Sequence, residues 1–314
     1  MNSSGGSDVR DIAIICGPTA AGKSAIAMAL AEQRAALLIS ADSRQVYRRF
    51  DIGTAKPSAT ERHRVAHRGI DVVDPTVRYS AAEWAVNATA WIRDAVARDQ
   101  AVIVVGGTGF YLRTLESPLF ESPPLDPERR AAVLASLDAQ TTDALRTRCA
   151  VIDPTRAVLG RTQLLRALET YELTGRPLSL WMTERARTSE FRAHYLVVDP
   201  GVTLRDRIAT RVMQMLDAGW EQEVARLLHE LPAEAPAWNA CGYAMLRSAQ
   251  AGGVTREYAI ERTIIETRQY AKRQRTWFRH QLPPDRVTRL DPGATDATDT
   301  ALAWLDAVSL TEQT

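Results

Sequence analysis

The stretch "IAIICGPTAAGKSAIAMAL", residues 12–30, decides the fold. Ile12 to Cys16 is apolar without alternation, the pattern of a strand buried on both faces. Gly17-Pro18-Thr19-Ala20-Ala21-Gly22-Lys23-Ser24 fits the phosphate loop G-x-x-x-x-G-K-[ST]. The Ala-, Leu- and Met-rich run from Gly22 to Arg34 reads as a helix. A strand, a glycine loop and a helix in this order aim backbone N–H groups and the positive helix end at one anion. Lys23 would neutralise phosphate oxygens, and the Ser24 hydroxyl would face Mg²⁺. A plain Gly-Pro turn before a helix is the bland alternative, and the flanking strand and helix argue against it.

Working outward, "ALLIS" (36–40), "GIDVVD" (69–74), "AVIVV" (101–105) and "YLVVD" (195–199) read as further strands. Ser80 and Glu83 form a capping box that opens a helix running to about Arg98. Alternating strands and helices predict an α/β core: a parallel sheet with helices on both faces. From Pro118 to Phe191 strand signals fade, and Asp126 with Pro127 marks a helix start. This predicts a helical insertion over residues 118–191, within a core formed by 11–117 and 192–314. Thr203 and Asp206 are expected to cap a helix ending near Gly219, and Thr255 to Gln281 is the last predicted helix. Residues 1–10 are polar and read as a disordered tail.

The chain has 314 residues, 45% hydrophobic and 25% charged, which is ordinary globular composition. Cys16, Cys149 and Cys241 form no C-x-x-C pair, so a zinc site or disulfide framework is not expected and a reducing compartment fits. No apolar run is long enough for a membrane span. The expectation is a cytoplasmic protein, without a membrane partner, acting as a monomer. Net charge is +1, but "RQYAKRQRTWFRHQ" (268–281) concentrates Arg268, Lys272, Arg273, Arg275 and Arg279 with no acid. Arg268, Lys272, Arg275 and Arg279 recur at i, i+4, i+7 and i+11, which puts them on one helical stripe facing an anionic partner. Ile260, Ile264, Ala271 and Phe278 form a separate stripe that would pack.

The nucleotide half of the phosphate-loop inference is weaker. Nucleotide hydrolases hold their metal with an acid at the end of another strand. Here the strand 101–105 runs into "GGTGFY". Asp42 follows the second strand instead; it is either a helix N-cap or a base placed where such folds bind ligands. Arg207 and Arg211 share a helix face, either as solvated arginines or as cations for a leaving group. His63 and His67 are spaced for zinc but lack a third ligand, so a solvated face is the reading.

At "ISADSRQVYRRFDIGTAKP" (39–57) a resemblance becomes specific. With "VVGGTGFYL" (104–112), "RIATRVMQMLDAGWEQEV" (207–224) and "QYAKRQRTWFR" (269–279), the chain resembles the tRNA dimethylallyltransferase family. The resemblance implies that Gly17–Ser24 hold dimethylallyl diphosphate with Mg²⁺. It implies transfer of the dimethylallyl group to N6 of adenosine 37 of tRNA. Asp42 would be the general base and Arg211 would act on the departing diphosphate, with Arg207 in support. Thr108 would serve the tRNA site, and Ser43, Arg44 and Gln45 would join Asp42 around the extruded adenine. The resemblance also implies tRNA contacts at Arg130 and Arg166 in the insertion, at Gly242 and Tyr243, and along the basic stripe. The chain departs from the family at "GRTQLLRALE", which lacks an Asn-Asp pair, and at Ala244, where a polar residue is usual. A phosphate-loop kinase, a non-catalytic RNA-binding protein and a prenyltransferase for free AMP or ADP are the competing readings. Asp42 and the complete loop argue against the RNA binder, and the insertion and basic helix argue for tRNA over a free nucleotide.

Overall fold

The computed structural model describes residues 9–118, 126–184 and 188–311. Six strands form one parallel sheet: β1 (Arg10–Cys16), β2 (Leu37–Ser40), β3 (His67–Arg68), β4 (Val102–Gly106), β5 (Phe191–Val198) and β6 (Val287–Leu290), in the order β3-β2-β4-β1-β5-β6. The central strand β1 pairs with β4 and β5; its apolar run Ile12–Cys16 is buried throughout, and Asp11 is buried beside it with Oδ1 hydrogen-bonded to His194 Nε2 at 2.8 Å. On one face Ala13, Ile15, Ile103 and Leu196 pack with Ile26 and Leu30 of the Lys23–Arg34 helix and Ala301 and Leu305 of the Ala297–Thr311 helix. The Ala81–Val96 and Gly109–Glu116 helices also pack on the sheet, with Trp84 stacked on Tyr111.

Several local expectations hold in detail. Ser80 and Glu83 form the capping box, and Asp126 caps Pro127–Asp138. Other local expectations fail. Residues 69–74 are not a strand. Gly69 and Asp71 have positive φ, which breaks extended pairing, and Tyr47 makes only an isolated bridge to Val73. The third strand is instead His67–Arg68. β1 begins at Arg10, inside the stretch assigned to the tail, and residues 1–8 lie outside the described residues. The Thr203 side chain does not cap the Leu204–Asp217 helix; its hydroxyl donates to the Pro200 carbonyl. β6 went unforeseen because it is a short edge strand just after two prolines.

By internal contacts the chain divides into two units, 1–116 with 189–314, and 117–188. The span 118–191 expected for the insertion shifts: Ser189, Glu190 and Phe191, the first residue of β5, belong to the larger unit instead, and Ser117 to the smaller one. The smaller unit is helical, with its own core of Leu137, Leu145, Cys149, Leu164, Leu168 and Leu178. The larger unit carries a second core, separate from the sheet's own. Val46, Tyr47 and Phe50 pack there against Val212, Trp220, Trp238 and Tyr243. That core fixes the segment after β2 against the Leu204–Asp217 helix.

Candidate active site

The phosphate loop bridges β1 and the helix that starts at Lys23. A Cβ on Gly17 would stand 2.1 Å from the Val198 carbonyl oxygen, so only glycine lets the loop cross β5 this closely. Gly22 has φ +99, the left-handed turn from which the helix springs. Lys23 is half-buried, and its Nζ donates to the Pro18 carbonyl at 2.7 Å. Burial, then the nearby Arg211 charge, lower its amine to about 8, and Asp42 opposes both. Arg211 is lowered by burial as well, again opposed by Asp42. Two cations and one carboxylate therefore line the same poorly solvated cavity and feel one another's charge. Such a place favours a further anion.

Arg211 comes from the Leu204–Asp217 helix, whose Leu204, Ile208, Val212 and Leu216 are buried. Met215, half-buried beside them, packs on the second core and also lines the cavity. The two arginines divide: Arg207 stays exposed, and Arg211 is withdrawn from solvent. Arg207 Nε donates to the Ala20 carbonyl at 3.1 Å, bracing the phosphate loop, while Arg211 lines the cavity itself.

Asp42 lies just past β2. Its Oδ1 accepts from the Arg44 N–H at 2.8 Å and the Gln45 N–H at 3.4 Å, so it caps a turn rather than a helix. Oδ2 has no partner among the described residues. The Ser43 N–H donates to Thr108 Oγ1 at 3.0 Å, and the Thr108 N–H donates to the Ala41 carbonyl at 3.2 Å. A Cβ on Gly106 would lie 2.2 Å from the Ala41 oxygen, so the glycine turn is what allows this approach. Thr108 is also hydrogen-bonded to Tyr270, whose phenol burial and Asp42 raise to about 12. Lys23, Ser24, Asp42, Arg44 and Arg211 thus line one cavity of about 210 Å³, with Met215, Trp220 and Tyr270 also in its wall.

Other expected site residues are placed elsewhere or are already engaged. Gln45 is spent inside the protein: Oε1 accepts from Ser40 Oγ at 2.8 Å, and Nε2 donates to the Thr54 and Ala55 carbonyls at 3.2 and 3.0 Å. Its amide clamps the 53–55 turn, and the residue lines the same cavity as Asp42. Tyr243 is 0% exposed in the second core. Its hydroxyl donates to Glu223, which holds the Asp51 and Ile52 N–H groups at 2.9 Å, and it accepts from the Gly53 N–H at 3.1 Å. Gly242 sits against Trp220, where a Cβ would come within 2.3 Å. This pair shapes the wall of the site and offers no surface to RNA.

The basic stripe also divides. Arg275 forms a two-pronged pair with Asp199 and donates to the Gly201 carbonyl. Arg268 leans on the Arg205 carbonyl at 3.3 Å, with its Nε buried and unpartnered. Lys272 and Arg279 remain exposed, as does Arg273 beside them. Ala271 and Phe278 are buried and Ile260 and Ile264 half-buried, so the packed stripe is as expected. In the helical unit Arg130 is ion-paired to the buried Glu169 at 2.5 Å, and Arg166 is exposed.

Sequence reasoning missed Tyr270 and Gln274. Gln274 falls between Ala271 and Phe278 in the packed stripe of the Arg256–His280 helix. A polar residue in a buried stripe was the available signal, since a buried amide must find partners.

Residues 45–281 match the model of a family described as IPP transferase. A tRNA dimethylallyltransferase of Myxococcus xanthus is 40% identical over 284 residues, covering 88% of this chain and 92% of that protein. One from Burkholderia cenocepacia is 38% identical over 320 aligned positions, covering 98% of each. A crystallographic structure of a eukaryotic dimethylallyltransferase acting on tRNA superposes with TM-score 0.82 at 28% identity, covering 96% of this chain and 80% of that one. The tRNA isopentenylpyrophosphate transferase of Bacillus halodurans gives TM-score 0.67 at 31% identity, covering 97% and 100%.

Proposed function

The chain belongs to the IPP transferase family, and on that premise we infer that it is a tRNA dimethylallyltransferase. It moves the five-carbon group of dimethylallyl diphosphate to N6 of adenosine 37, beside the anticodon, and releases diphosphate. The observation that carries this reading is the single cavity in which Asp42 faces Lys23 and Arg211.

The chemistry follows from those three side chains. The N6 lone pair of adenine is delocalised into the ring, so the amine is a poor nucleophile. As N6 bonds to C1 of the prenyl group, the C1–O bond breaks and its electron pair leaves with the diphosphate. The N6 proton passes to Asp42 Oδ2, the oxygen not used in capping the turn. A carboxylate of ordinary strength cannot deprotonate the free amine, so the proton leaves during or after bond formation. Lys23, Arg211 and the loop N–H groups face the charge growing on the bridging oxygen. The adenine enters extruded from the anticodon loop, which costs less than extruding a paired base.

Magnesium fits the donors present. Ser24 offers a hard hydroxyl oxygen in the same cavity, and Mg²⁺ usually takes one or two protein ligands, with phosphates and water completing its shell. When bound, it neutralises the diphosphate. Among the described residues there is no cluster of three His, Cys, Asp or Glu, so the diphosphate itself would be its main anchor.

The outward cations Lys272 and Arg279, with Arg44 and the insertion's Arg166, are the proposed tRNA contacts. The reading is of a cytoplasmic monomer; no helix among the described residues is long and apolar enough to cross a membrane. Incubation with bulk tRNA, Mg²⁺ and dimethylallyl diphosphate, followed by nucleoside mass spectrometry, tests the reaction. N6-(dimethylallyl)adenosine is the expected product, and its absence under conditions where the protein stays folded overturns the assignment.

A further inference from the structure

Two halves of the cavity come from different strands. The phosphate loop follows β1, while Asp42 follows β2 and is held by the turn after β4. One buried side chain touches both. Gln274 is 7% exposed; its Oε1 accepts from the Thr19 N–H at 2.8 Å and its Nε2 donates to the Gly107 carbonyl at 2.7 Å. The partners fix the amide's orientation, because a backbone N–H can meet only the oxygen and a carbonyl only the NH₂ group. Gly107 precedes Thr108, which holds Ser43 and through it the turn capped by Asp42.

We propose that Gln274 is a positioning residue for the transfer, setting the register of the phosphate loop against the turn that carries Asp42. The carbon under attack is tied to the diphosphate on one side, and the adenine amine is held by the carboxylate on the other. Their approach depends on the spacing between the two halves, and a misplacement of about 1 Å can cost ~10²-fold in rate. The inference rests on the reading of Gly17–Ser24 as the diphosphate site and Asp42 as the base.

Gln274→Met keeps the volume and removes both hydrogen bonds. It should lower the single-turnover rate with bound tRNA by ~10–100-fold, with tRNA affinity unchanged. Gln274→Glu supplies the sharper readout. As a carboxylate it still accepts from Thr19 but repels the Gly107 oxygen; protonated, it restores the donor. Burial and the facing carbonyl raise this carboxyl above the usual ~4.3, against the Lys23 and Arg211 charges that line the same cavity. The ratio of Glu-variant to parent rate should therefore climb as pH falls, because protonation recovers the second bond. A merely structural strut would change melting temperature and leave that ratio flat.

The arms separate the two readings. If the parent transfers from dimethylallyl diphosphate and the Met variant matches its single-turnover rate, Gln274 is not a positioning residue. Should the Met variant not fold, a pH-independent ratio for the Glu variant overturns the proposal. A parent that makes no prenylated adenosine overturns the functional reading beneath it.

Discussion

Asp42 shows how one residue can satisfy two readings that looked exclusive. The sequence left it as a cap or a base. Its Oδ1 caps the turn through Arg44 and Gln45, and that bond orients the free Oδ2. Asp42→Asn can preserve the cap and lose the proton acceptor. Transfer should fall ~10²–10⁴-fold, the usual cost of a positioned base, in single-turnover assays with tRNA bound; a near-parent rate removes Asp42 from the mechanism. Lys23 carries the pH signature. Its amine is lowered to about 8 in the ligand-free site, chiefly by burial and then by Arg211. A bound diphosphate favours the charged form and raises that value again. Affinity should therefore be greatest below about pH 8 and fall as pH rises through it, with proton uptake on binding in that window. Calorimetry with dimethylallyl diphosphate in buffers of different ionisation enthalpy measures that uptake, and Lys23→Ala should abolish it.

The Arg256–His280 helix is the element that most changes the picture of the basic surface. Periodicity put four cations on one stripe, but periodicity cannot tell which of them meets an acid from a distant part of the chain. Asp199, at the end of β5, takes Arg275. The expected RNA face contracts to Lys272 and Arg279, flanked by Arg273. Replacing Lys272 and Arg279 with Gln should weaken tRNA binding and flatten its salt dependence by up to about two units of slope, at ~0.7–0.9 per phosphate contact. Affinity for dimethylallyl diphosphate should hold. Parallel lines for parent and variant across a salt series would show that this face does not meet phosphates. Arg275→Gln belongs to a different class, because it leaves Asp199 without its partner.

At the scale of the whole molecule, the two units have separate cores. Leu168 is fully buried in the helical unit, among Leu137, Leu145 and Leu164. Leu168→Ala should cost that unit ~2–5 kcal/mol, as a cavity in a packed core does. Chemical denaturation followed by probes in each unit should move the transition of residues 117–188 and leave that of the sheet unit in place. A shared shift of both transitions would mean that the units unfold as one.

Local sequence determined what local physics controls. A fully apolar run made a buried strand, glycines at 17 and 22 made the tight loop that follows it, and Ser80-Glu83 made a helix start. Each depends on residues a few positions apart, so the pattern is complete in a short window. Motif spacing carried the family resemblance, and with it the expectation that Asp42 and Arg211 share a site; Oδ2 of Asp42 and the burial of Arg211 had to be seen in place. Tertiary structure alone decided the rest. The Gln274 amide meets Thr19 across 255 positions, Tyr243 reaches Gly53 across 190, and Arg275 is neutralised by Asp199 across 76. No periodicity encodes such pairings. They follow from which polar groups the packed cores leave facing each other, where an unpaired buried partner would cost about 1–3 kcal/mol.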